Sequence, residues 1–219
     1  MNYQELKKLF VPWFEDMGFV AQKPSKRLFI QDRGFYIIMA SFQPLHDEAF
    51  FLSVAVKFLW TDREPLTFDF FVDDCRIYGK KIPNPTGATY FDSPSFYDEI
   101  EYMKKQINKR VKIYQKLSKP ACLAKMLSNR NDTAVIANRG YKKRDTDLAI
   151  AKVLLGKSKE ASELFSNSLM HHYDPVIKEL SDLCFDQDAF ISKIIEITNE
   201  LRKTLSKNLK ISLEDITSL

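Results

Sequence analysis

A chain of 219 residues with 45% hydrophobic and 13% aromatic side chains can bury a substantial core, in one large domain or two small ones, and is not a disordered tail. Its total charge of +4 hides a strong polarity: residues 104–144 hold 13 Lys and Arg against the single acid Asp132, while residues 1–103 (11 basic, 15 acidic) and 145–219 (9 basic, 13 acidic) are each net negative. Such a segment favours anionic partners, and its mild overall basicity argues against a dedicated nucleic-acid binder. Cys75, Cys122 and Cys184 are widely spaced and show no C-x-x-C pair, which argues against a disulfide framework or a structural zinc site. The opening MNYQELKKLFVPWFEDMGF reads as an amphipathic helix rather than a secretory signal, and no segment reaches the roughly 18 to 20 apolar residues of a membrane span. A cytoplasmic protein without a membrane partner is expected.

Tyr3, Leu6, Phe10, Trp13, Phe14 and Met17 recur at helical steps, and Gly18 can end that helix in a left-handed conformation. Pro12 lies inside it and predicts a kink or break between Leu9 and Trp13. Leu28 to Gln31 and Phe35 to Phe42 flank Asp32-Arg33-Gly34 and read as a hairpin. Phe50 to Trp60 reads as a mostly buried strand, and Leu66 to Asp73 as another after the turn residues 61–65. Residues 78–94 carry three prolines and two glycines, which predicts a loop and the best boundary.

Beyond it the pattern is helical. Ser95 can cap a helix whose stripe is Ile100, Met103, Ile107, Val111, Tyr114 and Leu117, with Pro120 just past its end. Ala121 to Leu127 continues as a shorter helix, and residues 128–140 read as a loop. Asp145 to Leu155 and Ser158 to Met170 read as a helical hairpin in which Leu148, Ala151, Leu155, Ala161, Leu164 and Phe165 can face one another. Two further helices, Pro175 to Cys184 and Asp188 to Lys207, complete the chain. The expected fold is α+β: an N-terminal helix packed on an antiparallel sheet of about four to five strands over residues 1–93, then an all-helical half over 94–219, which can pack as one continuous domain.

The segments LKKLFVPWFEDMGF, RLFIQDRGFYIIMASFQ and FFLSVAVKFLW resemble the opening of a bacterial family catalogued as domain of unknown function 4304. That resemblance covers about a quarter of the chain, Leu6 to Phe19 and Arg27 to Trp60. It implies an α+β fold and no chemistry, and it raises the expectation of a protein-binding role beside toxin or defence systems.

Candidate sites are few. Lys104, Lys105, Lys109, Lys112 and Lys116 lie off the apolar stripe, and a solvated helix face explains most of them. A binding reading needs them to share a surface with Arg130, Arg139, Lys142, Lys143 and Arg144. Lysine dominance suits diffuse charge rather than bidentate recognition, and Tyr114 and Tyr141 are thin support for base stacking. Asp69, Asp73 and Asp74 could hold a hard cation, but solvated or turn-forming acids are the simpler reading, and Lys57 lacks the acid two residues before it that a restriction-type nuclease would need. The adjacent His171 and His172 diverge by about 100° on a helix, wrong for joint ligation, and His46 has no nucleophile to serve. Phosphate-loop, dinucleotide and nucleophile-elbow motifs are missing. The doubled aromatics Phe50-Phe51 and Phe70-Phe71 put a ring on each sheet face, so either both faces are covered or one ring belongs to a binding patch. The expectation is a non-enzymatic protein-binding module without cofactor or metal, an immunity or defence-associated factor. Nucleic-acid binding through residues 104–144 is the alternative.

Overall fold

The computed structural model describes residues 3–23, 27–45, 49–60, 76–77, 89–128, 140–171 and 173–219. The aromatic stripe at the start of the chain forms helix α1 (Tyr3–Asp16), which buries Leu6, Phe10 and Phe14 completely. Of the kink or break expected between Leu9 and Trp13, the break does not occur, and the helix runs through Pro12. Both Pro12 and Lys8, whose carbonyl loses its donor, lie on the exposed side, where water can satisfy that carbonyl. Gly18, at φ +80°, ends the helix as foreseen: its N–H donates to Glu15 O (2.8 Å), and the Phe19 N–H reaches back to Phe14 O (3.0 Å). The Phe14 and Phe19 rings, 5.3 Å apart, supply the apolar contact that accompanies this helix-ending motif.

The sheet is antiparallel throughout. Its strands are β1 (Val20–Ala21), β2 (Leu28–Asp32), β3 (Tyr36–Leu45), β4 (Ala49–Phe58), β5 (Arg76–Ile77) and β6 (Thr89–Tyr90), in the order β1-β2-β3-β4-β5 with β6 also on β4. The hairpin β2–β3 forms as read, with Gly34 at φ +81° in its turn and its N–H donating to Asp32 Oδ1 at 3.0 Å. β3 and β4 pair over their whole length, Tyr36 opposite Phe58 and Leu45 opposite Ala49. Thr89–Tyr90 is a correction: it lies inside the stretch expected to be loop, yet pairs with Ala49 and Phe50. Two residues are too few for a period to show. The expected strand over Leu66 to Asp73, and Phe70-Phe71 with it, lies outside the described residues.

Alternation sorts β2, β3 and β4 onto two apolar faces. Phe29, Tyr36, Ile38, Phe42, Phe50, Val54 and Phe58 join α1 in the main core, where Phe14 stacks on Phe29 at 4.6 Å and Phe42 meets Phe10 at 5.1 Å. Leu28, Ile30, Ile37, Met39 and Leu59 face Leu201, Leu205, Leu209 and Leu213 from the end of the chain. Both faces are therefore covered there. Phe50 is buried, and Phe51 on the opposite face is half-buried beneath the Arg76 guanidinium, 4.7 Å from its ring centre.

Helix α2 (Phe96–Tyr114) continues through a 3-10 turn, Gln115–Ser118, into α3 (Pro120–Ser128). All six residues of its expected stripe are buried. Ser95 occupies the cap position, but its hydroxyl makes no capping bond. It lies 3.2 Å from the Ser93 hydroxyl instead. The Tyr36 hydroxyl donates to Tyr114 O (2.9 Å) and the Tyr114 hydroxyl to Val54 O (3.3 Å), pinning α2 to the sheet, and burial raises the Tyr36 pKa. The helical hairpin is α4 (Gly140–Leu154) and α5 (Ser158–His171), joined at Gly156 and tied by the buried Thr146 and Ser168 hydroxyls 2.8 Å apart. α4 begins five residues before the expected Asp145, and Leu155 is exposed rather than part of the seam. Asp174 caps α6 (Pro175–Leu183) and Asp186 caps α7 (Gln187–Leu209). Trp60 Nε1 donates to the buried Asp147 at 2.7 Å, and one hydrophobic core holds residues from Leu6 to Ile194.

Candidate binding surface

The apolar stripe of α2 decides where its charges go. At about 100° per residue, Lys105, Lys109 and Lys112 fall within an arc of roughly 60° on the side of α2 opposite Met103 and Ile107, and Lys116 follows in the 3-10 turn. All four are exposed. Steps of four and three residues place the three on α2 within about 5–6 Å of one another in turn, and Lys116 extends the ridge into the 3-10 turn. Among the described residues none of the four has an ion-pair partner, and Lys119 and Lys125 beyond them have none either. From residue 102 to 128 the chain holds no acid at all.

The remaining expected members do not extend this ridge. Lys104 turns toward α1. Its Nζ bonds Glu101 at 2.9 Å and sits 6.0 and 5.9 Å from the Phe10 and Trp13 ring centres. Arg110, not among the expected members, donates from Nη1 to Arg76 O at 3.1 Å, bracing α2 against β5. Arg144 is half-buried, and its Nε is enclosed without a hydrogen-bond partner among the described residues. Lys142 and Lys143 fall in the first turn of α4, and Arg130 and Arg139 lie outside the described residues.

The C-terminal helices treat their cations differently. Lys152 and Lys157 meet Glu160 at 2.6 and 3.3 Å, which holds the Glu160 carboxyl below the usual range. Lys193 bonds Glu179 and Glu196, each at 3.0 Å, and its pKa is raised by them. Lys178 pairs with Asp182, and Lys203 with Asp215 at 3.2 Å. Arg202, only 2% exposed, grips Asp32 through both terminal nitrogens and donates to Gly34 O (2.6 Å) and to Glu214 O. It clamps α7 and the chain end to the hairpin turn.

A second feature adjoins α2. Between α1 and the start of α2 lies an open cleft of about 510 Å³ lined by Leu9, Phe91, Pro94, Phe96 and Tyr97 together with the polar Glu5, Lys8 and Ser93. Tyr97 is 66% exposed. Of the adjacent aromatics Phe96 and Tyr97, one ring is buried and the other exposed.

Asp69, Asp73, Asp74, His46 and His172 lie outside the described residues, and His171 ends α5. Lys57 is fully buried on β4 and engaged within the chain. Among the described residues no group of three or more His, Cys, Asp or Glu could hold a metal ion, and no helix is long and apolar enough to cross a membrane. No protein-family model, curated protein or solved structure matches the chain.

Proposed function

We propose that this is a non-enzymatic binding protein that presents the lysine ridge of α2 to an acidic face of another protein, in the cytoplasm and in a defence- or immunity-associated setting of the kind the N-terminal resemblance implies. One observation carries the reading: four exposed lysines share a ridge with no carboxylate partner among the described residues, whereas after residue 144 six of the nine Lys and Arg contact a carboxylate. A ridge of one sign steers a complementary partner and fixes its orientation.

Nucleic-acid binding through residues 104–144 is the second reading. The same four charges favour it, whereas the lack of arginine on the ridge and the burial of Tyr114 weigh against bidentate phosphate contacts and base stacking. A native pull-down with and without nuclease, run on the wild type and on Lys109→Glu/Lys112→Glu, separates the two. A defined protein that survives nuclease and is lost with the double variant supports the acidic-partner reading. Recovery of nucleic acid, with affinity falling at a log–log salt slope of about −3 to −4 for four phosphate contacts, replaces it with the second. Retention of every partner by the double variant removes the ridge from both.

A further inference from the structure

We propose that the cleft between α1 and the start of α2 is the anchor pocket of the same interface, and that its occupant is a helical segment of a partner protein, acidic along most of its length, with one large apolar side chain near one end. This rests on reading the ridge as a binding surface. Exposed lysine–carboxylate pairs are worth only roughly two- to fivefold each in affinity, so the ridge can steer and align but does not hold a partner by itself. Interfaces draw their affinity from a few aromatic or apolar anchors seated in pockets. At about 510 Å³, with Leu9, Phe91 and Phe96 forming its apolar wall, the cleft has the size and lining for one. Phe91 and Phe96 are 7% and 4% exposed and form a fixed floor, while Tyr97 offers most of its ring to solvent.

The placement of charge defines the occupant. Tyr97 precedes Lys105 by eight residues on one helix, about 12 Å along the axis and roughly 80° round toward α1. A single segment lying along α2 reaches both. Asp98 and Glu101 occupy the solvent side of the intervening turns, so carboxylates are repelled there and the partner's acidic stretch must begin beyond them, over Lys105 to Lys116. Glu5 and Lys8 both line the cleft, so the charge preference of the occupant is set by the ridge and not by the rim of the anchor pocket. A helix with one carboxylate per turn matches the ridge, because its pitch of about 5.4 Å equals the spacing of the lysines.

The test uses synthetic helical peptides of about 16 residues that place a Glu once per turn and a Trp beyond one end of the Glu stripe, in both chain directions. Binding to the full chain is followed by fluorescence anisotropy at low salt. One of the two directions is expected to bind, and removing the Trp, or making Tyr97→Ala in the protein, is expected to weaken it about tenfold with the salt dependence unchanged. Lys109→Glu/Lys112→Glu is expected to weaken it and flatten the salt dependence. If Tyr97→Ala and loss of the Trp have no effect while the lysine variant abolishes binding, the anchor is overturned and the ridge stands. If the lysine variant binds as the wild type does, the ridge itself falls. A composition-matched scrambled peptide binding equally well overturns the helical occupant, as does failure of the designed peptides beside tight binding of a duplex DNA oligonucleotide. Thermal melts of Tyr97→Ala, expected to match wild type, guard against a folding defect.

Discussion

The helical region after residue 144 and the segment from Lys105 to Lys125 that carries the ridge handle positive charge in opposite ways. Of the nine Lys and Arg after residue 144, six (Lys152, Lys157, Lys178, Lys193, Arg202 and Lys203) contact a carboxylate. Of the six exposed lysines from Lys105 to Lys125, none does among the described residues. The chain evidently can set acids against cations, so a bare ridge is not a default of its composition. Like charges at steps of three or four on a helix destabilise it by a few tenths of a kcal/mol per pair. A surface kept in that condition fits one that awaits its counter-charges from outside, which is the content of the proposed function.

The largest effect should come from breaking the best-buried pair of the compensated region. Asp32→Ala leaves the Arg202 guanidinium, 2% exposed, without its carboxylate and should remove about 3 to 5 kcal/mol in chemical denaturation. Arg202→Met should cost less, because Asp32 is 38% exposed and can rehydrate. Equal losses, or a larger one for Arg202→Met, would show that the arginine's bonds to the Gly34 and Glu214 carbonyls, not charge compensation by Asp32, are what α7 needs there.

That clamp also marks where the sequence stopped being legible. Periodicity exposes the stripes of α1 and α2, the alternation of β3 and β4, and the glycine stop at Gly18, because each depends on neighbours within one or two turns. Asp32 and Arg202 are 170 residues apart, and nothing local in either segment signals the other. Whether Pro12 breaks the helix depends on whether the freed carbonyl meets water, which is a matter of tertiary burial that the local pattern does not carry. The ridge itself was visible as off-stripe lysines. Its lack of partners was not, since an acid from a distant segment could have covered it, as Glu179 of α6 covers Lys193 of α7. The cleft needed the packing of α1 against residues 91–97 and has no sequence pattern of its own.

A smaller effect should appear on acidification, which strips the compensated region of its carboxylates and makes it resemble the ridge. Glu160 is held below its ordinary pKa by hydrogen bonds from Lys152 and Lys157. A depressed folded-state pKa means the group stabilises the fold above its unfolded pKa, and that contribution is lost as pH falls through the folded value. The melting temperature of wild type should exceed that of Glu160→Gln at neutral pH and converge with it in acid. Lys193 bounds the other side: its raised pKa means its contribution is complete below the unfolded value and is lost as strongly alkaline pH passes the folded one. A difference between wild type and Glu160→Gln that persists unchanged into acid would assign the effect to packing or helix propensity instead.

The smallest effect, and the one that bears most on the comparison, is the stability of the ridge variants. Lys109 lies between Lys105 and Lys112 and makes no ion pair among the described residues, so Lys109→Glu should replace two repulsions with two attractions. The expected result is a gain of about 0.5 to 1 kcal/mol at low salt, shrinking as salt is added. The same substitution should weaken partner binding. Opposite signs for stability and binding are the signature of a surface maintained for recognition at a small cost to the fold. If Lys109→Glu destabilises the protein, the lysine has a structural role and the contrast between the two regions loses its functional meaning. If it stabilises without affecting any partner, the ridge is a solvated face whose repulsions the fold simply tolerates.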